Sequence, residues 1–141
     1  MLLKPIADRL KTEVPAFRNN VTGTAGFAAA QEGLKSVPAG FVLPLMDKAG
    51  RNDLACGGVS QSVTERFGVV LVVSNMRDAQ GGAAHDDLQT LRRAVLDALL
   101  GWQPSAEYNP VEYSGGRMLA LNGADLWWQL EFTTAYFERK V

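Results

Sequence analysis

The sequence contains a single cysteine and a single histidine, and it has almost no net charge. Cys56 alone cannot form an intrachain disulfide, and with only His85 to join it a Cys/His zinc site would have too few ligands. The formal net charge of −1 argues against non-specific binding to a phosphate backbone or to anionic lipid, because that binding depends on an excess of basic residues. These absences exclude disulfide-stapled, zinc-dependent and strongly basic classes of protein.

Long hydrophobic runs and nucleotide-binding glycine motifs are absent as well. The densest apolar run, at residues 67–73, is far shorter than the ~20 residues that cross a bilayer. No Walker loop or Gly-x-Gly-x-x-Gly motif occurs, and the pairs Gly57-Gly58 and Gly115-Gly116 are typical of turns. The N-terminus passes directly into a charged helical pattern rather than into a signal sequence. With the length of 141 residues, these features predict one soluble, intracellular domain spanning residues 1–141.

Hydrophobic periodicity and turn residues predict the element order α, (α), β, long β, α, β, β. The predicted elements are helices at residues 6–14, 25–34 and 86–100 and strands at residues 41–43, 59–75, 117–121 and 126–139. Pro44 is expected to stop the first strand, residues 47–58 and 104–110 to form loops, and Asn122-Gly123 to form a hairpin turn. The order predicts an α+β fold in which a mixed, mainly antiparallel β-sheet is flanked by helices.

Two of the predicted strands are too long for a domain of this size. Residues 59–75 would span about 55 Å and residues 126–139 about 46 Å, whereas a compact domain of this length is roughly 37 Å across. The first of these strands is apolar on both faces only after Gly68, so only its second half is expected at the centre of the sheet. Either a neighbouring subunit covers the projecting halves, or a β-bulge folds each strand over its own sheet. The sequence leaves both alternatives open.

Residues that could carry catalysis or bind a metal are few. His85, Asp86 and Asp87 invite a metal or acid–base interpretation, but adjacent carboxylates on a helix point about 100° apart and cannot both face one ion. We expect the two aspartates to lie at the start of the long helix, where the helix dipole favours negative charge. Cys56 has no surrounding nucleophile motif. We therefore predict no catalytic residue, no metal ligand and no cofactor.

Two adjacent tryptophans and several arginines are candidates for an interface. Trp127 and Trp128 must face opposite sides of a strand, so one is expected to fill the core beside Leu96 or Leu99 and the other to lie at an interface. Residues 127–137 lack the interleaved Lys and Arg of a single-stranded nucleic-acid platform. Four arginines are interpreted either as solvated charges or as partners for a neighbour's carboxylates: Arg51, Arg66, Arg77 and Arg117.

Four segments occur in a characteristic order and spacing. They are Phe41-Val42-Leu43-Pro44-Leu45, Val63-Thr64-Glu65-Arg66-Phe67-Gly68-Val69-Val70-Leu71, Leu99-Leu100-Gly101-Trp102 and Leu126-Trp127-Trp128-Gln129-Leu130-Glu131-Phe132-Thr133-Thr134-Ala135-Tyr136. Together they resemble the tail terminator-like proteins of tailed bacteriophages and prophages. The resemblance covers residues 38–136, and the N-terminal part matches only in general character.

The resemblance implies a structural virion protein rather than an enzyme. Members of that family assemble as a hexameric ring that caps the tail tube, stops its polymerisation and presents a surface to the head–tail connector. The resemblance also implies a place at the head-proximal end of the tail, after assembly in the host cytoplasm. DNA would pass through the ring without specific binding, which suits the near-neutral charge, and no membrane is involved.

The residues expected at the contacts between subunits and with the tube are seven polar or aromatic side chains: Arg51, Asp53, Gln61, Glu65, Arg66, Arg77 and Trp127. The projecting half of the long strand and the loop before it would supply most of them. One alternative function is a head–tail connector (neck) subunit, which would also form a ring. A small metal- or ligand-binding enzyme built around His85 and Asp86 is the other alternative.

Overall fold

The computed structural model describes residues 3–34, 36–74, 82–121 and 125–141, with the backbone alone for 82–85. The elements in chain order are α1 (Leu3–Glu13), a 3₁₀ turn (Pro15–Phe17), β1 (Val21–Thr22), α2 (Thr24–Glu32), β2 (Ala39–Ala49), β3 (Val59–Ser74), α3 (Gly82–Leu99), β4 (Glu112–Leu121) and β5 (Asp125–Lys140). No helix in this part of the chain is both long and apolar enough to span a bilayer.

The five strands form one sheet in the order β1-β2-β3-β5-β4. The short β1 pairs with β2 in parallel, and every other neighbouring pair is antiparallel. The mixed, mainly antiparallel sheet with its helices confirms the predicted α+β class. The Asn122-Gly123 turn lies outside the described residues, but the strands on either side of it pair in antiparallel register, with Leu121 opposite Leu126.

Helices cover both faces of one half of the sheet. On one face α1 and α3 pack on the odd-numbered residues of β3 from Phe67 to Val73, and these side chains form the larger hydrophobic cluster. On the other face α2 packs against a smaller cluster that includes Val70 and Val72. The second half of β3 is therefore buried on both sides, as its continuous apolar run predicts.

β2 is longer than predicted. Pro44 does not stop it; the strand continues to Ala49, and the loop begins at residue 50 rather than 47. Beyond Phe41, β2 has no strand on its second side among the described residues, and its register with β3 shifts between Pro44 and Met46. An edge strand and a bulge are the two places in a sheet where the missing proline N–H is tolerated.

The predicted starts of α3 and β4 are also wrong. α3 begins at Gly82, so Asp86 and Asp87 lie past its first turn and do not mark the helix start. β4 begins at Glu112 and contains the glycine pair that was interpreted as a turn. A Cβ on Gly116 would lie 2.8 Å from the Trp128 indole nitrogen, so this glycine makes room for the tryptophan of the neighbouring strand.

Neither long strand folds back on its own sheet. β3 and β5 pair residue by residue from Val59 opposite Lys140 to Ser74 opposite Asp125, with no register shift between them. The projecting halves of β3 and β5 are therefore hydrogen-bonded to each other within one chain, and the alternative that a bulge folds each strand over its own sheet is wrong. Cover by a neighbouring subunit stays a prediction. Register shifts occur instead in β2, between Pro44 and Met46, and at two places in β4. Exposed side chains and the outer edges of β2 and β5 remain uncovered in the described part of this region.

Candidate functional site

The projecting halves of three strands, together with the loop that joins two of them, form an arm. We define the arm as residues 45–66 and 133–140, which cover the ends of β2, β3 and β5 and the loop at residues 50–58. No arm residue belongs to either hydrophobic cluster. The arm therefore lies beyond the core and is stabilised mainly by cross-strand pairing.

The arm brings together five of the seven residues predicted at the interface: Arg51, Asp53, Gln61, Glu65 and Arg66. Arg77 lies outside the described residues. Trp127 lies at the opposite end of β5, where it is buried under α2 and stacks on Phe41 with ring centroids 6.2 Å apart. Its partner Trp128 packs on the larger cluster, which includes Leu96 and Leu99.

The Asn52 side chain makes three hydrogen bonds that hold the loop at the arm tip. The Asn52 Oδ1 atom accepts hydrogen bonds from the backbone N–H of Leu54 (3.1 Å) and of Ser60 (2.9 Å). The Asn52 Nδ2 group donates to the Gly58 carbonyl at 3.2 Å. Gly58 has a positive φ of 78°, and a Cβ there would lie 2.8 Å from the carbonyl oxygen of Lys140. The tip is thus a defined shape that presents exposed side chains.

Two of the predicted residues help to build this shape. The Gln61 amide donates from Nε2 to the Gly50 carbonyl at 2.9 Å, and the Asp53 backbone N–H donates to the Ser60 carbonyl at 2.8 Å. The side chains of Arg51 and Asp53 lie on exposed residues of the same loop, as does Cys56. A cation and an anion two residues apart on a fixed loop can supply paired polar contacts to another protein.

A small ion-pair network lies where the arm meets the rest of the sheet. Arg66 on β3 and Arg117 on β4 approach the two carboxylate oxygens of Glu131 on β5, at 3.7 and 4.0 Å. The Gln129 amide also donates to Glu131 at 3.0 Å. Two guanidinium groups share one carboxylate, so the network carries an excess positive charge on an open face of the sheet. Arg66 and Arg117 therefore have a partner within the chain as well as capacity for another.

Sequence reasoning missed Glu131. It became part of the network only because β5 lies between β3 and β4 in the sheet, which places Glu131 opposite Gly68 on one side and Gly115 on the other. The only sequence signal was the alternation of Gln129, Glu131 and Thr133, which puts these polar side chains on one face of a strand.

Glu65 is buried at the base of the arm instead of lying on its surface. Its strand neighbours are Asp47 on β2 and Thr134 on β5. Burial raises the pKa of the Glu65 carboxyl, the nearby Asp47 charge raises it further, and a hydrogen bond with Tyr136 partly opposes the rise. Burial, followed by the effect of Glu138, raises the pKa of Tyr136 to about 12. Tyr136 is therefore a neutral donor at physiological pH.

The loop after α3 closes over this buried carboxyl. Tyr108 packs on Tyr136 with ring centroids 5.1 Å apart. The Asn109 backbone N–H donates to the Ala135 carbonyl at 2.8 Å, and its carbonyl accepts from the Thr134 hydroxyl at 2.7 Å. The loop thus fixes the base of the arm to the body of the domain.

Replacing Glu65 with glutamine is expected to stabilise the protein at neutral pH and to flatten its pH dependence. Because the folded-state pKa of this carboxyl is raised, its contribution to stability is full below the unfolded-state pKa and is lost as pH rises through the folded-state value. Thermal unfolding from pH 4 to pH 8 measures this. Asp47→Asn is the matched control and should act in the same direction with a smaller effect. A wild-type melting temperature that falls no faster with pH than that of Glu65→Gln would contradict the burial of a raised-pKa carboxyl.

The alternative of a metal or catalytic centre gains no support from the described residues. These contain no group of three or more His, Cys, Asp or Glu placed to hold a metal ion. The side chain of His85 lies outside the described residues, and Asp86 is exposed on α3.

Comparisons with known proteins bear on the whole chain. The family model described as "Phage tail terminator protein" matches residues 1–140. No curated protein matches the chain. Among solved structures, the chain is similar to one from the "Virion of native gene transfer agent (GTA) particle", with a TM-score of 0.60 and 14% sequence identity. That match covers 97% of this chain and 95% of the other, and it shows a shared fold.

Proposed function

Because the chain belongs to the phage tail terminator protein family and is a structural protein of that family, we propose that it terminates phage tails. In this proposal, copies of the chain form a ring, expected to be hexameric, on the head-proximal end of the tail tube. The ring stops further addition of tube subunits and presents its other side to the head–tail connector. The observation that carries the proposal is the family match over residues 1–140, which includes the arm as well as the core.

The arm is the part of the chain best suited to these contacts. It projects beyond both hydrophobic clusters, its strands pair with one another, and its tip loop is fixed by Asn52. A surface that is already ordered loses little conformational entropy on binding. We therefore place ring closure and docking to the tube on the arm, with Arg51, Asp53 and Arg66 supplying polar specificity.

The channel of such a ring would let DNA pass without holding it. The chain has a formal net charge of −1, so a ring of copies would have no strong positive field to retain a phosphate backbone. Assembly would take place in the host cytoplasm before the head joins the tail.

Deletion of the gene tests the proposal, with tail lengths measured by negative-stain electron microscopy. Loss of a terminator is expected to give tubes longer than the wild-type tail with a broad length distribution, and the wild-type gene supplied in trans should restore the single length. Finished tails of normal length that fail to join heads would instead identify a connector subunit and overturn the terminator proposal.

A further inference from the structure

The sheet has several open edges in the part of the chain that the structure describes, among them the end of β5 beyond Thr133. Two of these edges carry half of the large hydrophobic residues that are exposed there. β4 has a neighbour only on its β5 side. β2 has β1 beside it only at Gly40 and Phe41, so its segment 45–49 forms the second of these two edges. Most of β4 and all of segment 45–49 are exposed. Each edge offers backbone N–H and C=O groups to a further strand.

Exposed apolar side chains concentrate on these two edges. Half of the ten large hydrophobic residues that are exposed in the described part of the chain lie there: Leu45, Met46, Met118, Leu119 and Leu121. Apolar side chains grouped on open strands are typical of surfaces that bind another protein. They also make each edge an aggregation hazard unless it is covered.

The strand directions suit a second copy of the same chain. β2 runs parallel to β5, and β4 runs antiparallel to both. Rotation about a ring axis keeps each strand's direction relative to that axis. The β2 edge of one copy would therefore meet the β4 edge of the next in antiparallel orientation. The antiparallel arrangement of neighbouring strands would then continue from one copy to the next. Such head-to-tail contacts join two different surfaces and can close into a ring.

The charges on the two edges are compatible with this contact. Segment 45–49 carries Asp47 and Lys48, and β4 carries Glu112 and Arg117. Neither edge has an excess of one sign that would repel a copy of the chain. Asp47 and Arg117 are both exposed, so each edge offers the other an opposite charge.

We propose that copies of this chain join edge to edge, with β4 of one copy pairing antiparallel with segment 45–49 of β2 in the next. The sheet then continues from subunit to subunit, and the exposed methionines and leucines of both edges are covered. The inference rests on the proposed ring and adds the surfaces that close it. The occupant of each edge is a second copy of the chain, not a strand of the tube protein.

Cysteine cross-linking tests this pairing. In a Cys56→Ala background, Met46→Cys and Met118→Cys place thiols on the two edges, at residues that are 54% and 52% exposed. Within one chain β3 and β5 separate these edges by three strand spacings, about 14 Å, so a bis-maleimide shorter than that joins only different copies. The chain with both cysteines is expected to give a ladder of covalent oligomers. A mixture of the two single-cysteine chains should give covalent dimers only. Each single-cysteine chain alone should give no cross-linked species.

Dimers from Met118→Cys alone, or the absence of cross-linked species from the double-cysteine chain, would overturn the edge pairing. Met118→Lys is a second variant that should reduce assembly, with Leu100→Lys, at a 42% exposed leucine after α3, as its matched control. Equal assembly of these two variants would also contradict the proposal. Rings that assemble without cross-linking would refute the edge contact and leave the terminator proposal intact, whereas normal tail length after gene deletion would refute the terminator function itself.

Discussion

Arg66→Glu is expected to abolish ring assembly and tail-length control while leaving the chain folded. Arg66 lies at the base of the arm with its side chain 44% exposed, 3.7 Å from a Glu131 oxygen. The substitution places a carboxylate beside Glu131 and reverses the excess charge that the network offers to a neighbour. Exposed ion pairs contribute about 0–1 kcal/mol to stability, so the folded state should survive. The measurements are thermal unfolding, ring formation in negative-stain images and tail length after complementation of the deleted gene.

Arg93→Glu is the matched control. Arg93 is 58% exposed and also pairs with a carboxylate, Asp97, at 2.9 Å, but it lies on α3 away from the arm. The same charge reversal there should leave assembly unchanged. If Arg66→Glu also leaves rings and tail length unchanged, Arg66 does not belong to the interface.

A charge swap separates the two roles that Arg66 can have. Arg66→Glu combined with Glu131→Arg restores an ion pair within the chain but moves the positive charge to β5. Renewed assembly in this double variant would mean that Arg66 acts by orienting its own strand. Continued failure would mean that its guanidinium contacts the neighbouring subunit directly.

The sequence predicted the central part of the fold well, because short stretches of sequence there show by themselves which side chains are buried. The apolar stripe of α3 has a helical period, and the apolar run of β3 is continuous. Both patterns can be recognised without knowing which elements pack against them. Gly101, with a positive φ of 76°, follows α3 where a helix-ending glycine was predicted.

The wrong strand bounds arose at residues whose structural role depends on which strand lies beside them. Pro44 is incompatible with a central strand but acceptable on an edge, and the sequence does not say that β2 becomes an edge after Phe41. Gly115 and Gly116 resemble a turn, yet Gly116 is a glycine because the Trp128 indole of the next strand lies against it. Such contacts are set by strand order, which local patterns do not encode.

The sequence predicted where the candidate site lies, but not which of its residues contact one another. The polar alternation of residues 59–66 indicated a projecting strand, and five of the predicted residues do lie together on the arm. The sharing of Glu131 by Arg66 and Arg117 depends on the pairing of three strands that are distant in sequence. The burial of Glu65 likewise depends on a loop that arrives from beyond α3.

Trp127→Ala is expected to destabilise the protein more than any substitution on the arm. The indole is buried, stacks on Phe41, and meets Phe27 of α2 edge-on with ring centroids 6.0 Å apart. Because this small cluster is what holds α2 on the sheet, the cavity would loosen the helix as well as remove apolar contact. Truncating a buried tryptophan to alanine costs about 3–5 kcal/mol, a large part of the 5–15 kcal/mol that stabilises a typical domain.

For a chain of this length that loss corresponds to a melting temperature lower by about 6–20 °C, measurable by circular dichroism. Trp127→Phe keeps an aromatic ring against Phe41 and should lower the melting temperature much less.

This pair of variants also tests the predicted interface role of Trp127. If Trp127 acts only by packing, the phenylalanine variant will assemble like the wild type. A stable, folded Trp127→Phe protein that fails to form rings would instead mean that the indole contributes to the contact between subunits. A melting temperature of Trp127→Ala within about 2 °C of the wild type would contradict the packing role, because a buried indole cannot be removed from a close-packed cluster at so small a cost.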